Sequence, residues 1–154
     1  MAIAKTVKAY LEKANIRYAT MPHPHTQSSK QTAGTAHVPL ERLAKAVVLI
    51  DEAGPLMVVI PASRHVRFHT VSEKLGRDLL LATEGRMMAV FKDCELGAIP
   101  PLGPAYGMET LVDYALVGLP EVFFEAGNHE ELIRVKGEDF LSLLKEASYG
   151  EFGS

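Results

Sequence analysis

Two short runs that are apolar at every position, Ala46 to Ile50 behind Lys45 and Leu56 to Ile60, are separated only by Asp51-Glu52-Ala53-Gly54-Pro55. A strand with one wetted face alternates apolar and polar residues, whereas a strand covered on both faces reads as a continuous apolar run. The spacing therefore predicts an antiparallel hairpin, Lys45–Ile50 with Leu56–Ile60, turned at the Asp/Gly/Pro cluster and covered on both faces. Such a hairpin needs helices or loops on each side. Everything else in the chain has to supply them.

The flanking pattern does so. Ile3, Val7, Tyr10, Leu11 and Ala14 recur at helical spacing and predict a first helix ending near Asn15, followed by a short strand over Arg17–Met21 that runs into Pro22-His23-Pro24-His25. A second helix is expected from Ser28, with Gln31 completing a capping box, to about Ala36. Val38-Pro39 breaks it, and one helical turn through Leu40–Leu43 leads to Lys45. Beyond the hairpin, Val71–Leu75 reads as a helix stopped at Gly76, and Thr83 as the cap of another reaching Phe91. Strands are expected at Thr110–Asp113, Glu121–Glu125 and Leu132–Val135, and a closing helix at Asp139–Ala147. Tyr149 to Ser154 reads as a loose tail beyond a core of about 1–147. Neither a repeat nor a linker interrupts the pattern, so the expectation is a single domain over 1–154, of α+β class, with a mixed sheet.

Composition narrows the function classes. A chain of 154 residues is long enough to bury a core without metal or disulfide staples. Its 16 Lys and Arg against 19 Asp and Glu leave a net charge of −3, which disfavours nonspecific binding to duplex nucleic acid while permitting a local basic patch. The lone Cys94 cannot form an internal disulfide, and the first residues lack a long apolar stretch, so a cytoplasmic address is expected with no membrane association.

Two features carry chemistry. Lys45 stands at the lip of a buried strand, where the backbone aims its ammonium at an anionic group; the structural alternative is a solvated lysine that discourages edge pairing. Gly97-Ala98-Ile99-Pro100-Pro101 is a stiff loop in which a ligand could approach bare backbone, or simply a connector.

The ordered set Lys45-Ala46-Val47-Val48-Leu49, Val58-Val59-Ile60-Pro61-Ala62, Gly97-Ala98-Ile99-Pro100-Pro101 and Ala126-Gly127-Asn128-His129 resembles the YbaK/prolyl-tRNA-synthetase-associated editing domains over roughly Thr26 to Leu144. The resemblance implies a mixed, strongly bent, barrel-like sheet with flanking helices and a pocket that hydrolyses the ester joining a wrong amino acid to transfer RNA. It further implies that Lys45 holds the terminal nucleotide, that Gly97 and Ala98 to Pro101 face the aminoacyl group, and that His129 lies beside the same pocket as a third catalytic residue. Gly127, Asn128, Val47 and Ile60 are expected to line the substrate site with Ile99. Expected partners are the acceptor end of mischarged transfer RNA and a prolyl-tRNA synthetase or other translation component, the chain itself being a monomer or weak homodimer. Alanine on proline transfer RNA is the leading substrate. A non-catalytic module that binds the aminoacyl or nucleotide end is the alternative.

The remaining polar residues are weighed on their own chemistry. His23 with His25 and His65 with His69 form two close pairs, but neither cysteine nor carboxylate completes a ligand set; all are expected at the surface, with neither metal nor cofactor. Arg64 and Arg67 either touch RNA phosphates or belong to a solvated loop. Cys94 is expected as a small buried group, not a nucleophile, and Met87 and Met88 as core or pocket wall. His129 has a structural reading too, as a loop residue whose ring caps a backbone group. There is no Gly-x-Ser-x-Gly elbow and no His-Glu-x-x-His motif, so catalysis by positioning, without a covalent nucleophile, is expected.

Overall fold

A computed structural model describes residues 3–24 and 29–154. The hairpin is its centre. β2 (Leu43–Asp51) pairs antiparallel with β3 (Gly54–Pro61) in the register Lys45↔Ile60, Val47↔Val58 and Leu49↔Leu56. Every residue of β3 from Leu56 to Pro61 is buried, as a strand covered on both faces requires.

Around it the chain adds β1 (Ala19–Pro22), β4 (Leu80–Leu81), β5 (Glu109–Asp113), β6 (Glu121–Glu125), β7 (Glu131–Lys136) and β8 (Ser148–Gly150). The strand order is β1-β7-β6-β2-β3-β5-β8, with β4 on β2. This is a mixed sheet: β2–β6, β3–β5 and β5–β8 are parallel, while the other pairings are antiparallel. The path ends in two different edge strands, so the sheet stays open among the described residues. One edge of β2 is shared, by β6 at Leu43 and Ala44 and by β4 at Leu49 and Ile50. β6 therefore leaves β2 just where Lys45 begins.

Helices cover both faces. α1 (Lys5–Lys13) buries Val7 and Leu11, and its path ends as expected near Asn15, which takes φ +58. Together with α5 (Gly137–Leu143) it closes the larger cluster, which holds Val48, Met57, Val59, Phe124, Ile133 and Phe140. The opposite face carries two smaller clusters. α3 (Phe68–Leu75) contributes Val71 to one, with Leu49, Leu56, Val58 and Ile60, and α2 (Ser29–Ala36) contributes Ala33 to the other, with Leu43, Phe123 and Leu132. α3 ends at left-handed Gly76, and the Thr83 hydroxyl caps α4 (Glu84–Val90) by accepting from the Arg86 N–H. The expected Ser28 cap and His25 lie outside the described residues.

Three expectations change. The tail from Tyr149 to Ser154 is not loose: β8 pairs with β5, Phe152 is fully buried, and Asp113 Oδ2 accepts from the Phe152 and Gly153 N–H groups at 2.9 and 2.7 Å. A buried ring and a carboxylate turned toward two backbone donors outweigh the entropy of a short terminal segment. The closing helix occupies Gly137–Leu143 and not Asp139–Ala147, because the Leu144–Ala147 stretch turns into β8. His23, expected at the surface, is only 8% exposed, since β1 delivers it beside the end of β6.

Candidate active site

Strand alternation sets which side chains meet on the α2/α3 side of the sheet. Leu43 pairs in parallel with Phe123 and Ala44 with Phe124. Lys45 and Glu125 are the residues that follow this parallel contact on their two strands, and alternation along β2 puts Lys45 on the face that also holds Leu43. The α2 cluster covers Leu43 and Phe123, and the α3 cluster covers Leu49. Lys45 lies between these two covers. It is half-buried, and burial lowers the pKa of its ammonium. Among the described residues no carboxylate lies within ion-pair distance of it.

Glu125 is 5% exposed, and burial raises its pKa; the Thr32 hydroxyl, His23 and His129 work in the opposite direction, and Glu95 adds to the rise. His23 Nε2 approaches Glu125 Oε1 at 3.7 Å, while His23 Nδ1 is fixed 2.8 Å from the Pro24 carbonyl. Helix α2, strand β1 and the loops after β6 and α4 thus converge on one carboxyl group. Sequence reading missed Glu125. The available signal is an acid inside the otherwise apolar stretch Phe123-Phe124-Glu125-Ala126.

The loop predicted to face the substrate is clasped to the end of β6. His129 Nε2 sits 2.6 Å from the Leu96 carbonyl; because that oxygen can only accept, Nε2 carries the hydrogen. The Glu95 N–H donates to the Gly127 carbonyl at 2.7 Å. Gly127 (φ +105) passes so close to α1 and the Cys94 loop that a Cβ there would meet Ala4 Cβ at 3.0 Å and Cys94 Sγ at 3.3 Å. Asn128 Oδ1 accepts from the Glu130 and Glu131 N–H groups, each at 3.0 Å, which fixes the turn into β7. Asp93 anchors the other side of the loop: its carboxylate accepts from the Thr6 N–H and the Tyr106 hydroxyl, both at 2.9 Å. Cys94 is buried, and burial pushes its thiol up to about 12, so it is inert as a nucleophile at neutral pH.

Within the loop Gly97 is exposed and takes φ +82, while Ala98, Ile99, Pro100 and Pro101 are buried. The predicted set therefore divides. His129 and, through it, the Leu96–Gly97 corner belong to the surroundings of Glu125, while Lys45 follows the β2–β6 contact that ends one residue before Glu125. Ile60 and Ile99 do not wall one pocket together: Ile60, with Val47 packed against it, belongs to the α3 cluster, and Ile99 to the larger cluster across the sheet. Gly127, Asn128 and His129 are engaged in holding the turn. Arg64 and Arg67 are exposed; Arg64 Nη1 reaches the Gly153 carbonyl at 3.3 Å, and the Arg67 N–H donates to the Phe152 carbonyl.

A family model described as the aminoacyl-tRNA editing domain matches residues 23–143. The chain belongs to this family. The matched span includes Lys45, the Gly97 loop and His129. Solved structures share the architecture over nearly the whole chain. The hypothetical protein APE2540 superposes with a TM-score of 0.84 at 18% identity, covering 97% of this chain and 100% of that one. A protein described as a candidate trans-editing enzyme for prolyl tRNA synthetase gives 0.82 at 20% identity, covering 97% and 96%. A scaffold from work on epitope backbone grafting by computational design gives 0.84 at 19%, covering 97% and 96%. At these identities the likeness is one of fold. A comparison with curated proteins finds no match.

Among the described residues no group of three or more His, Cys, Asp or Glu side chains is arranged to hold a metal ion. No helix among them is long and apolar enough to cross a membrane.

Proposed function

We propose that this editing domain acts in trans as a deacylase, hydrolysing the ester between a small wrong amino acid and the terminal ribose of transfer RNA, with alanine on proline transfer RNA as the first substrate to test. The observation that carries the reading is the Lys45 ammonium, half-buried between two helical covers and without a carboxylate partner among the described residues. A partly desolvated cation with no partner is a site for an anion brought from outside. The terminal phosphate, or the oxyanion that develops at the ester carbonyl as water adds, supplies that anion.

The reaction asks little covalent chemistry of the protein. An aminoacyl ester is activated by its own α-ammonium. Water adds to the carbonyl carbon, the bond to the ribose oxygen breaks, and that oxygen takes up a proton, leaving free amino acid and deacylated RNA. Holding water and carbonyl in line, with the adjacent ribose hydroxyl to orient the water, can remove several kcal/mol of barrier. Backbone N–H groups at the Gly97 corner stabilise the oxyanion that develops, and Lys45 fixes the RNA end. His129 acts as a positioning residue: through its bond to the Leu96 carbonyl it sets where that corner stands.

The decisive test is a deacylation panel across mischarged transfer RNAs under single-turnover conditions, run with untreated and metal-stripped protein. Release of alanine from proline transfer RNA well above the spontaneous rate by both preparations is expected. Tight binding without accelerated release would make the chain a non-catalytic module. Activity lost on stripping and regained only with a divalent ion would replace this mechanism with a metal-activated water.

A further inference from the structure

A groove of about 470 Å³ runs beside the β1 edge of the sheet, lined by Arg17, Tyr18, Arg134, Lys136 and Glu121. Arg17, Arg134 and Lys136 are all exposed. The one carboxylate in the lining is already neutralised, because Arg42 Nη1 lies 3.4 Å from Glu121 Oε1. Arg17, Arg134 and Lys136 form no ion pair among the described residues. Three uncompensated cations in one groove stand out on a chain whose net charge is −3.

The register shows which way this groove faces. Arg134 pairs with Phe123, Lys136 with Glu121, and Phe123 with Leu43, so their side chains emerge on the sheet face that carries Lys45. Arg134 stands two strands across and one pleat along from Lys45, about 12 Å by ordinary sheet spacings. We propose that this groove is the docking track for the phosphate backbone of the acceptor arm, holding the RNA a few nucleotides from the end that Lys45 receives. Resting on the reading of the site as a deacylase for the acceptor end, the inference adds where the rest of that RNA is held. Fixed cations at this spacing suit a repeating anion and fix the register of the chain without reading its sequence.

The test uses an uncharged hairpin RNA of acceptor-stem length with a single-stranded 3′ end, so the result does not depend on whether any ester is cleaved. Binding is followed by fluorescence anisotropy across a salt series for the wild-type chain, the triple variant Arg17→Ala/Arg134→Ala/Lys136→Ala, and a control, Lys5→Ala/Lys8→Ala/Lys92→Ala, that removes as many exposed cations elsewhere. Three lost phosphate contacts reduce the log–log salt slope by about 2.1 to 2.7, so that between about 50 and about 200 mM salt the wild type loses roughly 20- to 40-fold more affinity than the groove variant. The control keeps the wild-type slope. An equal fall in slope for both triple variants, an unchanged slope for the groove variant, or no binding by the wild-type chain each overturns the proposal. Circular dichroism on the groove variant separates lost contacts from lost fold, and single reversals such as Arg134→Glu supply the same reading if the triple variant is unstable. Because the RNA carries no amino acid, a negative outcome leaves the deacylation panel as informative as before.

Discussion

Removing the Lys45 ammonium tests the centre of the site. A hydrogen bond from a charged donor contributes about 1.5–3 kcal/mol, and each 1.36 kcal/mol lost from the transition state slows a reaction about tenfold. Lys45→Ala is therefore expected to slow deacylation roughly 10- to 150-fold, the upper end applying if the ammonium grips the reacting group and not only the phosphate. Lys45→Met keeps most of the apolar stem and isolates the head group, and it is expected to fall in the same range. Lys45→Arg keeps the charge but substitutes a broad planar fork, and a partial rescue is expected.

Stability gives an independent check on these variants. Burial lowers the pKa of Lys45, so the folded chain holds that proton less firmly than the unfolded chain. The resulting penalty is present below the folded-state pKa and fades as pH rises through the unfolded value. At neutral pH, removing the charge therefore costs no electrostatic stability, and Lys45→Met is expected to melt with the wild type or slightly above it. The assay is single-turnover release of amino acid at saturating protein, which separates weak binding from slow chemistry. A folded Lys45→Met that cleaves mischarged transfer RNA at the wild-type rate would refute the reasoning.

Three other perturbations read different parts of the structure. Gly97→Ala places a side chain at φ +82; a cost of about 1–2 kcal/mol is expected, lowering Tm by a few degrees and slowing hydrolysis, and wild-type turnover would reduce the loop to a connector. Phe152→Ala empties a fully buried position and is expected to cost about 3–5 kcal/mol in chemical denaturation, where a loss under about 1 kcal/mol would return the tail to the loose state. Burial raises the Glu125 pKa against the pull of Thr32, His23 and His129, so its contribution to stability is full below the unfolded carboxyl pKa and is lost as pH rises through the folded one. Glu125→Gln is expected to flatten that fall, and parallel melting curves for variant and wild type from acid to neutral pH would show that the carboxyl is not held as described.

Where the fold was legible, the signal was local. The hairpin could be read because every residue from Leu56 to Ile60 is apolar and the intervening Asp51–Pro55 segment admits a tight turn. Gly76 and Thr83 announce a helix end and a helix start through their own backbone and side-chain chemistry. What escaped reading depends on partners far along the chain. His23 looks like a surface turn residue until β1 pairs with β7 and brings it to Glu125. Phe152 sits among Gly, Glu and Ser, and only Asp113 and the β5 edge give it a place. Arg17, Arg134 and Lys136 are unremarkable singly, and no window of sequence contains them together. The apolar run behind Lys45 was legible for the opposite reason, since it is itself a local fact, although β2 begins two residues earlier, at Leu43.

Ala44 pairs with Phe124, and the residues that follow on the two strands, Lys45 and Glu125, carry opposite formal charges, yet no ion pair joins them. The arrangement around Glu125 accounts for this. Thr32 from α2, His23 from β1 and His129 from the β6–β7 turn converge on the carboxyl, and burial favours its protonated form. An internal Lys–Glu pair would have neutralised the ammonium, and any incoming phosphate would then have had to break a partly desolvated contact before binding. With no such pair, the proposed site keeps the Lys45 charge for an external anion. The same turn clasps the Leu96–Gly97 corner. His129 therefore acts on the Glu125 charge and on the position of the proposed oxyanion corner alike, so loosening it is expected to disturb both, a coupling that a histidine serving only as a proton carrier would not produce.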